Sequence, residues 1–265
     1  MTTDSPSARF KDRLHRRELQ VGFFIGLPSP ALVEMIGWAG FDFVIIDTEH
    51  GPMSLDTVEH MLRAAEGAGM AALVRLPGST AAHILPVLDI GASGILVPHV
   101  ASLETARRVV AECYYPPQGQ RGISTVSRSA RYGMGDGGAY LANRAKETSV
   151  VLMIEDAATL PLVGEIAALP GVDAIFIGPN DLAASLGHAG QPNHPEVQAA
   201  IAGIRAAVLP RDGVALASIG GRAAGDAEKQ RQAGISMLCF STPLLIANAL
   251  KDLMKQVRPS GPPAA

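Results

Sequence analysis

Residues 43–52 read FVIIDTEHGP, an apolar run that leads directly into an acid, a hydroxyl, a second acid and a histidine. Continuous runs of Val, Ile and Phe are typical of strands that are buried on both faces. Such a strand has no place for four polar side chains along its length. The polar residues therefore mark the end of a buried strand, where a functional site would open.

Runs of the same kind recur along the chain, and each is followed by a longer segment with the amphipathic pattern of a helix. The runs span residues 21–26, 41–47, 71–76, 94–99, 149–155, 172–178, 213–219 and 235–241. The alternation indicates parallel strands covered by helices, and eight such units in about 250 residues match the size of a TIM barrel. We predict an α/β fold, a single-domain (β/α)8 TIM barrel.

The chain divides into a polar N-terminal segment over residues 1–17, the barrel over 18–256 and a disordered tail over 257–265. Residues 114–148, rich in Gly and Arg, form the longest irregular connection and follow the fourth strand. Long loops at this face of a barrel are usually lids or subunit contacts. The segments GWAG (37–40) and EGAG (66–69) place a glycine where a helix is expected to end.

The composition favours a small-molecule site. The chain has 265 residues, 48% of them hydrophobic, with a formal net charge of -3 and no basic stripe, so we expect no nucleic-acid partner. The N-terminus lacks a signal sequence and no apolar run reaches the roughly 18 residues of a membrane span. This predicts a cytoplasmic protein without a membrane partner. Cys113 and Cys239 have no metal or redox spacing and are expected as buried apolar residues.

Polar side chains end or follow five of the predicted strands. Because the carboxyl ends of the strands in a TIM barrel meet on one face, these side chains are expected around one opening. They are Asp47, Thr48, Glu49, His50, Arg75, His99, Glu155, Asp156, Asn180 and Asp181.

Glu155 and Asp181 follow neighbouring strands, which lie roughly 4.8 Å apart. Their carboxylates could share one hard divalent cation such as Mg²⁺ or Mn²⁺, with positions left for a chelating substrate. The alternative is that each residue caps the helix that follows it. The spacing leaves both interpretations open.

Arg75 lies within the apolar segment ALVRLPG (72–78), where an unpaired guanidinium would be costly. An anionic substrate or an enolate would satisfy it, and so would an internal salt bridge with Asp47 or Glu49. The residues alone favour neither.

His50 is the best candidate for a proton carrier, because imidazole titrates near neutral pH and Asp47 is close enough in sequence to fix its tautomer. His99 would either line the pocket or serve in packing. His188 and His194 lie in the loop GHAGQPNHPEV (187–197) and have no liganding pattern.

None of the five lysines lies at a strand end, which argues against a Schiff-base mechanism. Stabilisation of a carbanion would then fall to a metal ion. No GxGxxG or P-loop sequence follows a strand, so no nucleotide cofactor is expected.

Several segments, taken in order and spacing, resemble the HpcH/HpaI family of metal-dependent class II pyruvate aldolases. They are GFDFVIIDTEHGP (40–52), VRLPG (74–78), VLDIGASGILVPHV (87–100), YYPPQGQRG (114–122), MIED (153–156) and GVDAIFIGPNDLAASLGHAGQPNHPEV (171–197). The resemblance extends over residues 18–250. It implies reversible retro-aldol cleavage of a 4-hydroxy-2-oxo acid to pyruvate, or hydroxypyruvate, and an aldehyde.

The resemblance also implies roles for individual residues. Glu155 and Asp181 would hold the divalent ion, Mg²⁺, Mn²⁺ or Co²⁺. Arg75 would contact the pyruvate or enolate oxygen, and His50 would transfer the proton of the 4-hydroxyl group. The substrate carboxylate would meet the backbone at Gly178, Pro179, Asn180 and Asp181.

The family pairs this histidine with an aspartate at the position of Asp89. Asp89 precedes the fourth strand and so belongs at the N-terminal face of its barrel, whereas His50 belongs at the opposite face, roughly 15–20 Å away. A dyad therefore requires a neighbouring subunit. We predict a homo-oligomer with shared active sites, in line with the hexamer, a trimer of dimers, that is usual in the family. The alternative is that Asp89 is a surface residue and Asp47 alone orients His50.

Two departures from the family pattern leave the substrate open. Met153 stands where the family commonly has Gln, and the junction after the eighth strand, MLCFSTPLL (237–245), is shorter than usual. The alternative functions are a citrate-synthase-like or citramalyl-CoA-lyase-like carbon–carbon lyase or acyl transferase on the same scaffold, or a catalytically silent barrel that binds a metabolite.

Overall fold

Eight parallel strands close into one barrel in the computed structural model, which describes residues 5–221 and 224–258. The strands are β1 (Gln20–Ile25), β2 (Phe43–Asp47), β3 (Ala71–Arg75), β4 (Gly94–Val97), β5 (Ser149–Ile154), β6 (Ala174–Ile177), β7 (Ala215–Ile219) and β8 (Met237–Ser241). Each strand pairs in parallel with the next along the chain, and β8 pairs with β1. The predicted (β/α)8 TIM barrel is confirmed.

Helices surround the barrel and connect its strands. They are α1 (Pro6–His15), α2 (Pro30–Trp38), α3 (Leu55–Gly67), α4 (Ala81–Asp89), α5 (Leu103–Cys113), α6 (Gly137–Glu147), α7 (Val163–Ala167), α8 (Pro179–Ser185), α9 (Pro195–Val208), α10 (Ala224–Gln232) and α11 (Thr242–Val257). Short 3-10 segments span Arg128–Gly133 and Ala157–Leu162. Gly40 and Gly69 follow α2 and α3 with φ of 91° and 73°, the left-handed backbone expected where a helix ends.

The strands separate two apolar cores, because successive side chains of a strand point to opposite faces. Phe43 and Ile45 of β2 belong to the cluster that fills the barrel, and Val44 and Ile46 belong to the cluster between the barrel and its helices. All four are fully buried. This two-sided burial explains why the sequence of β2 is apolar throughout, without a period of two.

Helix α1 covers the end of the barrel at which the strands begin. Its Phe10 and Leu14 are buried in the cluster inside the barrel, and the ring of Phe10 lies 5.3 Å from that of Phe43, the first residue of β2. Residues 6–15 of the segment that was expected to be polar therefore form a helix with an apolar face. The opposite end, where the strands finish, is left for a site.

The connection over residues 114–148 is more regular than the sequence indicated. It contains α6, which begins after Asp136, whose carboxylate accepts hydrogen bonds from the amides of Gly138 and Ala139. The two glycines at the start of α6 weaken its helical pattern, which is why the sequence did not indicate this helix.

The proposed domain limits stay predictions. Val257 ends α11, and residues 259–265 of the expected tail lie outside the described residues. Over residues 5–221 and 224–258, no helix combines the length and the apolar character needed to cross a membrane.

Candidate active site

Arg75 and Asp47, the last residues of β3 and β2, form a bidentate ion pair at the C-terminal end of the barrel. They are register partners; Nε of Arg75 donates to Oδ1 of Asp47 at 2.9 Å and Nη2 donates to Oδ2 at 2.5 Å. Nη1 of Arg75 lies 3.2 Å from Oε2 of Glu49. Of the two sequence-based alternatives for Arg75, the internal salt bridge is present, with two carboxylates as its anions.

The pair fixes the charge of Asp47. Burial acts to raise the pKa of Asp47, but the hydrogen bonds and charge of Arg75, with the amides of His50 and Glu49, outweigh it and lower the pKa below its ordinary value. Asp47 therefore remains a carboxylate through the neutral pH range.

His50 lies in the turn after β2, with its side chain 67% exposed. Oδ1 of Asp47 accepts hydrogen bonds from the backbone amides of Glu49 and His50 at 3.1 and 3.2 Å. The expected hydrogen bond from the imidazole of His50 to the carboxylate of Asp47 is not formed, because Asp47 already accepts from Arg75 and from these two amides. Nε2 of His50 lies 3.8 Å from Oε2 of Glu49. Asp47 thus holds the backbone of His50, while the ring stays exposed at the barrel opening beside Glu49.

His99 lies between two carboxylates. Its backbone amide donates to Oε1 of Glu155 at 2.7 Å, and Nδ1 of its ring lies 3.2 Å from the same oxygen. Nε2 of the ring lies 3.3 Å from Oε1 of Glu49. The backbone φ of His99 is 53°. Residues other than glycine rarely adopt this conformation, and it often occurs at functional sites. Of the alternatives for His99, the structure shows the one in which it lines the opening.

Glu49 connects Arg75, at the end of β3, with His99, which follows β4. Its side chain is 12% exposed, and it contacts Arg75, His50 and His99. The sequence placed Glu49 among the polar residues after β2 and gave it no role beyond a partner for Arg75. The distance along the chain between Glu49 and His99 does not indicate that the two side chains meet. They meet because the closed barrel brings the ends of β2 and β4 to one opening.

Glu155 directly follows β5 and is 4% exposed. Burial raises the pKa of Glu155; the amide and ring of His99 oppose the rise, and the charges of Asp181 and Glu49 add to it. A Cβ built on Gly178 would lie 2.7 Å from Oε2 of Glu155. The carboxylate therefore occupies space that only a glycine at position 178 leaves open.

The helix-capping alternative for Glu155 and Asp181 is wrong. The 3-10 segment after β5 is capped by Asp156, which accepts from the amide of Ala158 at 2.9 Å. Helix α8 begins after Gly178 without a side-chain cap, and Asp181 lies exposed in its first turn. Neither carboxylate is used to begin a helix.

The residues fit a hard divalent ion. Glu155 is buried, and the charges of Asp181 and Glu49 contribute to its raised pKa, so a cation would offset the repulsion among these carboxylates. Carboxylate oxygens are the ligands that Mg²⁺ and Mn²⁺ prefer. The exposure of Asp181 leaves room for water or a chelating substrate. Glu155 and Asp181 would be the two protein ligands.

Asp89 lies apart from the other predicted site residues. It ends α4, ahead of β4, and its Oδ1 accepts from Nη2 of the buried Arg121 at 2.7 Å. No hydrogen bond or ion pair joins Asp89 to His50 within the described chain. Asp89 precedes β4 and His50 follows β2, so the two residues belong to opposite ends of one barrel, and the dyad across subunits stays a prediction.

Met153 makes the inside of the barrel below the site apolar. It is 4% exposed and belongs to the cluster that fills the barrel, and its Cε would lie 3.3 Å from a Cβ on Gly178. A thioether here offers no strong hydrogen bond. The contact that a glutamine would make beside Glu155 is therefore missing.

A second group of potential ligands lies in the loop between α8 and α9, where the sequence indicated no liganding pattern. The rings of His188 and His194 stack with centroids 3.5 Å apart, and Nε2 of His188 lies 2.8 Å from Oε2 of Glu196. One ligand atom of each residue lies within 4.8 Å of the others. No helical or strand period relates these positions, so only the folded loop reveals them.

Comparison with known proteins gives consistent matches. The family model described as HpcH/HpaI aldolase/citrate lyase matches residues 20–241, from the first residue of β1 to the last of β8. A 5-keto-4-deoxy-D-glucarate aldolase of Enterobacter sp. (strain 638) is 40% identical over 201 residues, 76% of this chain and 78% of that protein. A pyruvate aldolase of Rhizobium etli is 42% identical over 196 residues, 74% and 76% of the two chains. The crystal structure of an HpcH/HpaI aldolase/citrate lyase family protein from Burkholderia cenocepacia J2315 has a TM-score of 0.89 at 32% identity, over 95% of this chain and 99% of that one.

Proposed function

The chain belongs to the HpcH/HpaI aldolase/citrate lyase family and is a carbon–carbon lyase of the aldolase type; we propose that it uses a divalent metal ion to cleave a 4-hydroxy-2-oxo acid reversibly to pyruvate and an aldehyde. Hydroxypyruvate in place of pyruvate is a close variant of the same reaction.

The observation that carries this proposal is the position of Glu155. Its buried carboxylate shares the ring of His99 with Glu49 and fills space that Gly178 leaves open, at the end of the barrel where TIM-barrel enzymes place their active sites. The charges of Asp181 and Glu49 add to the rise in its pKa. Burying a carboxylate among others is unfavourable unless a cation compensates. Glu155 and Asp181 would hold Mg²⁺, Mn²⁺ or Co²⁺, and the ion would supply Lewis-acid polarisation of the 2-oxo group.

The chain's own residues account for the proton transfer. His50, exposed at the opening, removes the proton of the 4-hydroxyl group. The carbonyl of the aldehyde forms as the bond between C3 and C4 breaks, and the electron pair moves towards the 2-oxo group. The proton that His50 took up is then delivered to C3, directly or through water, which completes pyruvate and restores His50. Since Asp47 holds the backbone of His50, its role is to position this residue.

Arg75 would stabilise the negative charge that develops on the 2-oxo oxygen. All three of its donor groups meet Asp47 or Glu49, so a substrate oxygen would share Nη1 with Glu49. The substrate carboxylate would lie against the backbone at Gly178, Pro179 and Asn180, at the start of α8, where the helix dipole favours an anion.

We also propose that the protein is a homo-oligomer, a hexamer in the form of a trimer of dimers, with active sites that combine His50 of one subunit with Asp89 of another. Helix α11 supports association. Of its residues, all of which the structure describes, only Thr242 is buried. Large apolar side chains on α11 are 55–68% exposed: Leu245, Leu250, Leu253, Met254 and Val257. Contiguous exposed apolar surface of this kind usually marks an interface.

Pyruvate release from a panel of 4-hydroxy-2-oxo acids tests the reaction. We expect release with added Mg²⁺ or Mn²⁺ and loss of release after treatment with EDTA. Turnover of a CoA thioester without pyruvate release would favour the acyl-transfer alternative, and metal binding without any turnover would favour a silent barrel. The cytoplasmic location expected from the sequence stays a prediction, as does the absence of a nucleotide cofactor.

Mixing two impaired variants tests the shared sites. His50→Asn and Asp89→Asn should each lose most of their activity, and after subunit exchange about a quarter of the sites should regain both residues, because each site draws one residue from each of two randomly mixed subunits. No recovery after verified exchange would place both residues in one subunit or exclude Asp89 from the reaction.

A further inference from the structure

The loop between α8 and α9 brings together two imidazoles and one carboxylate that the proposed aldolase reaction does not use. His188 and His194 lie in the loop, and Glu196 lies in the first turn of α9. One potential ligand atom from each residue lies within 4.8 Å of the other two. None of the three contacts Glu49, Glu155 or Asp181 through a hydrogen bond or ion pair within the described chain.

We propose that His188, His194 and Glu196 form a second metal site, for a transition-metal ion such as Zn²⁺, Ni²⁺, Co²⁺ or Cu²⁺. Two imidazole nitrogens and one carboxylate oxygen suit these ions, whereas Mg²⁺ prefers oxygen ligands alone. The site therefore differs in its donor atoms from the proposed site at Glu155 and Asp181, which offers carboxylate oxygens alone.

The distances place the ligand atoms close to coordination. Nε2 of His188 and Oε2 of Glu196 lie 2.8 Å apart, and ligand atoms on one tetrahedral Zn²⁺ lie roughly 3.3 Å apart for bonds of about 2.0 Å. An ion would take the place of the proton that these two atoms share. The stacked ring of His194, 3.5 Å away between centroids, supplies the third ligand atom, which lies within 4.8 Å of the other two.

The loop backbone holds these side chains in place. The amide of His188 donates to the carbonyl of Ala183 at 2.7 Å, that of Gln191 to the carbonyl of His188 at 2.9 Å, and that of His194 to the carbonyl of Gln191 at 2.9 Å. Gly190, with φ of 77°, permits the tight course of the chain between the two histidines. Consecutive turns thus bring residues 188 and 194 face to face before any ion binds.

Binding has a cost at the start of α9. Nδ1 of His194 accepts a hydrogen bond from the amide of Glu196 at 3.3 Å, which caps this helix. A neutral imidazole has one ring nitrogen with a free lone pair. If the ion takes that lone pair, His194 no longer accepts the hydrogen bond from the amide of Glu196.

An ion in this site would stabilise the segment that carries Asp181. Helix α8 is seven residues long, with Asp181 in its first turn and the loop of His188 directly after its last. An ion bound to the loop and to α9 fixes the C-terminal end of α8. The expected effect is on stability, and no part of the reaction depends on it.

Zinc binding tests the proposal, measured by calorimetry on EDTA-treated full-length protein that carries Glu155→Gln and Asp181→Asn. These two substitutions remove the proposed catalytic metal site, so the result is independent of the proposed aldolase reaction. We expect one Zn²⁺ per chain, release of protons on binding, and a rise in Tm with Zn²⁺ that Mg²⁺ does not produce.

Two variants in this background locate the ion. His188→Gln and Glu196→Gln each remove one ligand, and each should weaken Zn²⁺ binding by more than about tenfold, the smallest loss typical of even an outer-shell partner. His60→Gln, which changes an exposed histidine on α3, is the matched control and should bind as before. Zinc bound with unchanged affinity in both variants would overturn the proposal, and so would no zinc binding in the parent protein.

Discussion

Gly178 lies so close to Glu155 that a Cβ at Gly178 would fall 2.7 Å from Oε2 and 2.9 Å from Cβ of Glu155. Gly178 has φ of -95°, which any residue can adopt, so the constraint comes from space alone. The glycine is required because a carboxylate fills the place of its side chain.

Gly178→Ala should therefore reduce activity without unfolding the protein. The added methyl group must displace the carboxylate of Glu155, and overpacking of this kind costs about 1–3 kcal/mol of stability. We expect a loss of at least about tenfold in kcat/KM, equivalent to about 1.4 kcal/mol, together with weaker metal binding. Gly203→Ala is the control, since a Cβ there meets nothing within 4 Å; it should leave both unchanged. Equal activity in the two variants would contradict the assigned position of Glu155.

Substitution of His99 should separate metal binding from proton transfer. His99→Asn keeps a residue that tolerates positive φ but removes the ring that lies 3.2 Å from Glu155. Loss of a partner that orients a metal ligand typically weakens metal binding by about 10–100-fold. His50→Asn should leave metal affinity within about twofold and lower kcat/KM by about 10²–10⁴, the usual contribution of a general base. Titration with Mn²⁺ distinguishes the two, and equal metal affinities in both variants would contradict the role of His99.

The Asp47–Arg75 pair should make stability depend on pH at the acidic end. The pKa of Asp47 is lowered in the folded state, so between the folded and unfolded pKa values the unfolded chain binds more protons and stability rises with pH. The contribution is fully present above about pH 4, the unfolded value, and is lost as the pH falls through the folded pKa.

Asp47→Asn should accordingly lower Tm at pH 7 and have a smaller effect below about pH 4. Breaking a hydrogen-bonded charge pair of this kind costs about 1–3 kcal/mol. A difference in Tm between the two proteins that stays constant from pH 7 down to pH 3 would show that the charge of Asp47 does not contribute.

Charges on α11 should disrupt the oligomer. Leu250 and Leu253 are 63% and 57% exposed, and they would be covered by a second subunit in the proposed assembly. Leu250→Lys combined with Leu253→Lys should shift the mass measured by light scattering to a smaller species and reduce activity if sites are shared. Lys251→Glu, on the same helix but already charged, is the control. An unchanged mass would place the interface elsewhere.

The barrel was predictable because each strand is buried on both faces and therefore forms a continuous apolar run. The same argument predicted the polar residues at the strand ends. The ion pair between Asp47 and Arg75 was one of the two alternatives that the sequence left open for Arg75. Helix α6 was missed because Gly137 and Gly138 obscure its pattern. The contacts of His99 depend on a positive φ and on loops from three strands, which no local pattern encodes.

The resemblance to the aldolase family contributed what the residues alone left open. Spacing could not decide between a metal site and helix caps for Glu155 and Asp181. The structure excludes the caps, since Asp156 begins one segment and α8 has no side-chain cap. The assignment of an ion to Glu155 and Asp181 rests on the chemistry of their oxygens and on the burial of Glu155.

The most direct test of the account is to measure Mn²⁺ binding and pyruvate release on the same preparations of wild-type, Glu155→Gln and Asp181→Asn protein. Each variant keeps the size of the side chain and removes one charge. We expect wild-type protein to bind Mn²⁺ and to release pyruvate in proportion to the ion bound, and each variant to lose both. Pyruvate release at the wild-type rate in Glu155→Gln, or release that survives removal of the ion, would contradict the assignment of a metal-dependent aldolase site to these carboxylates.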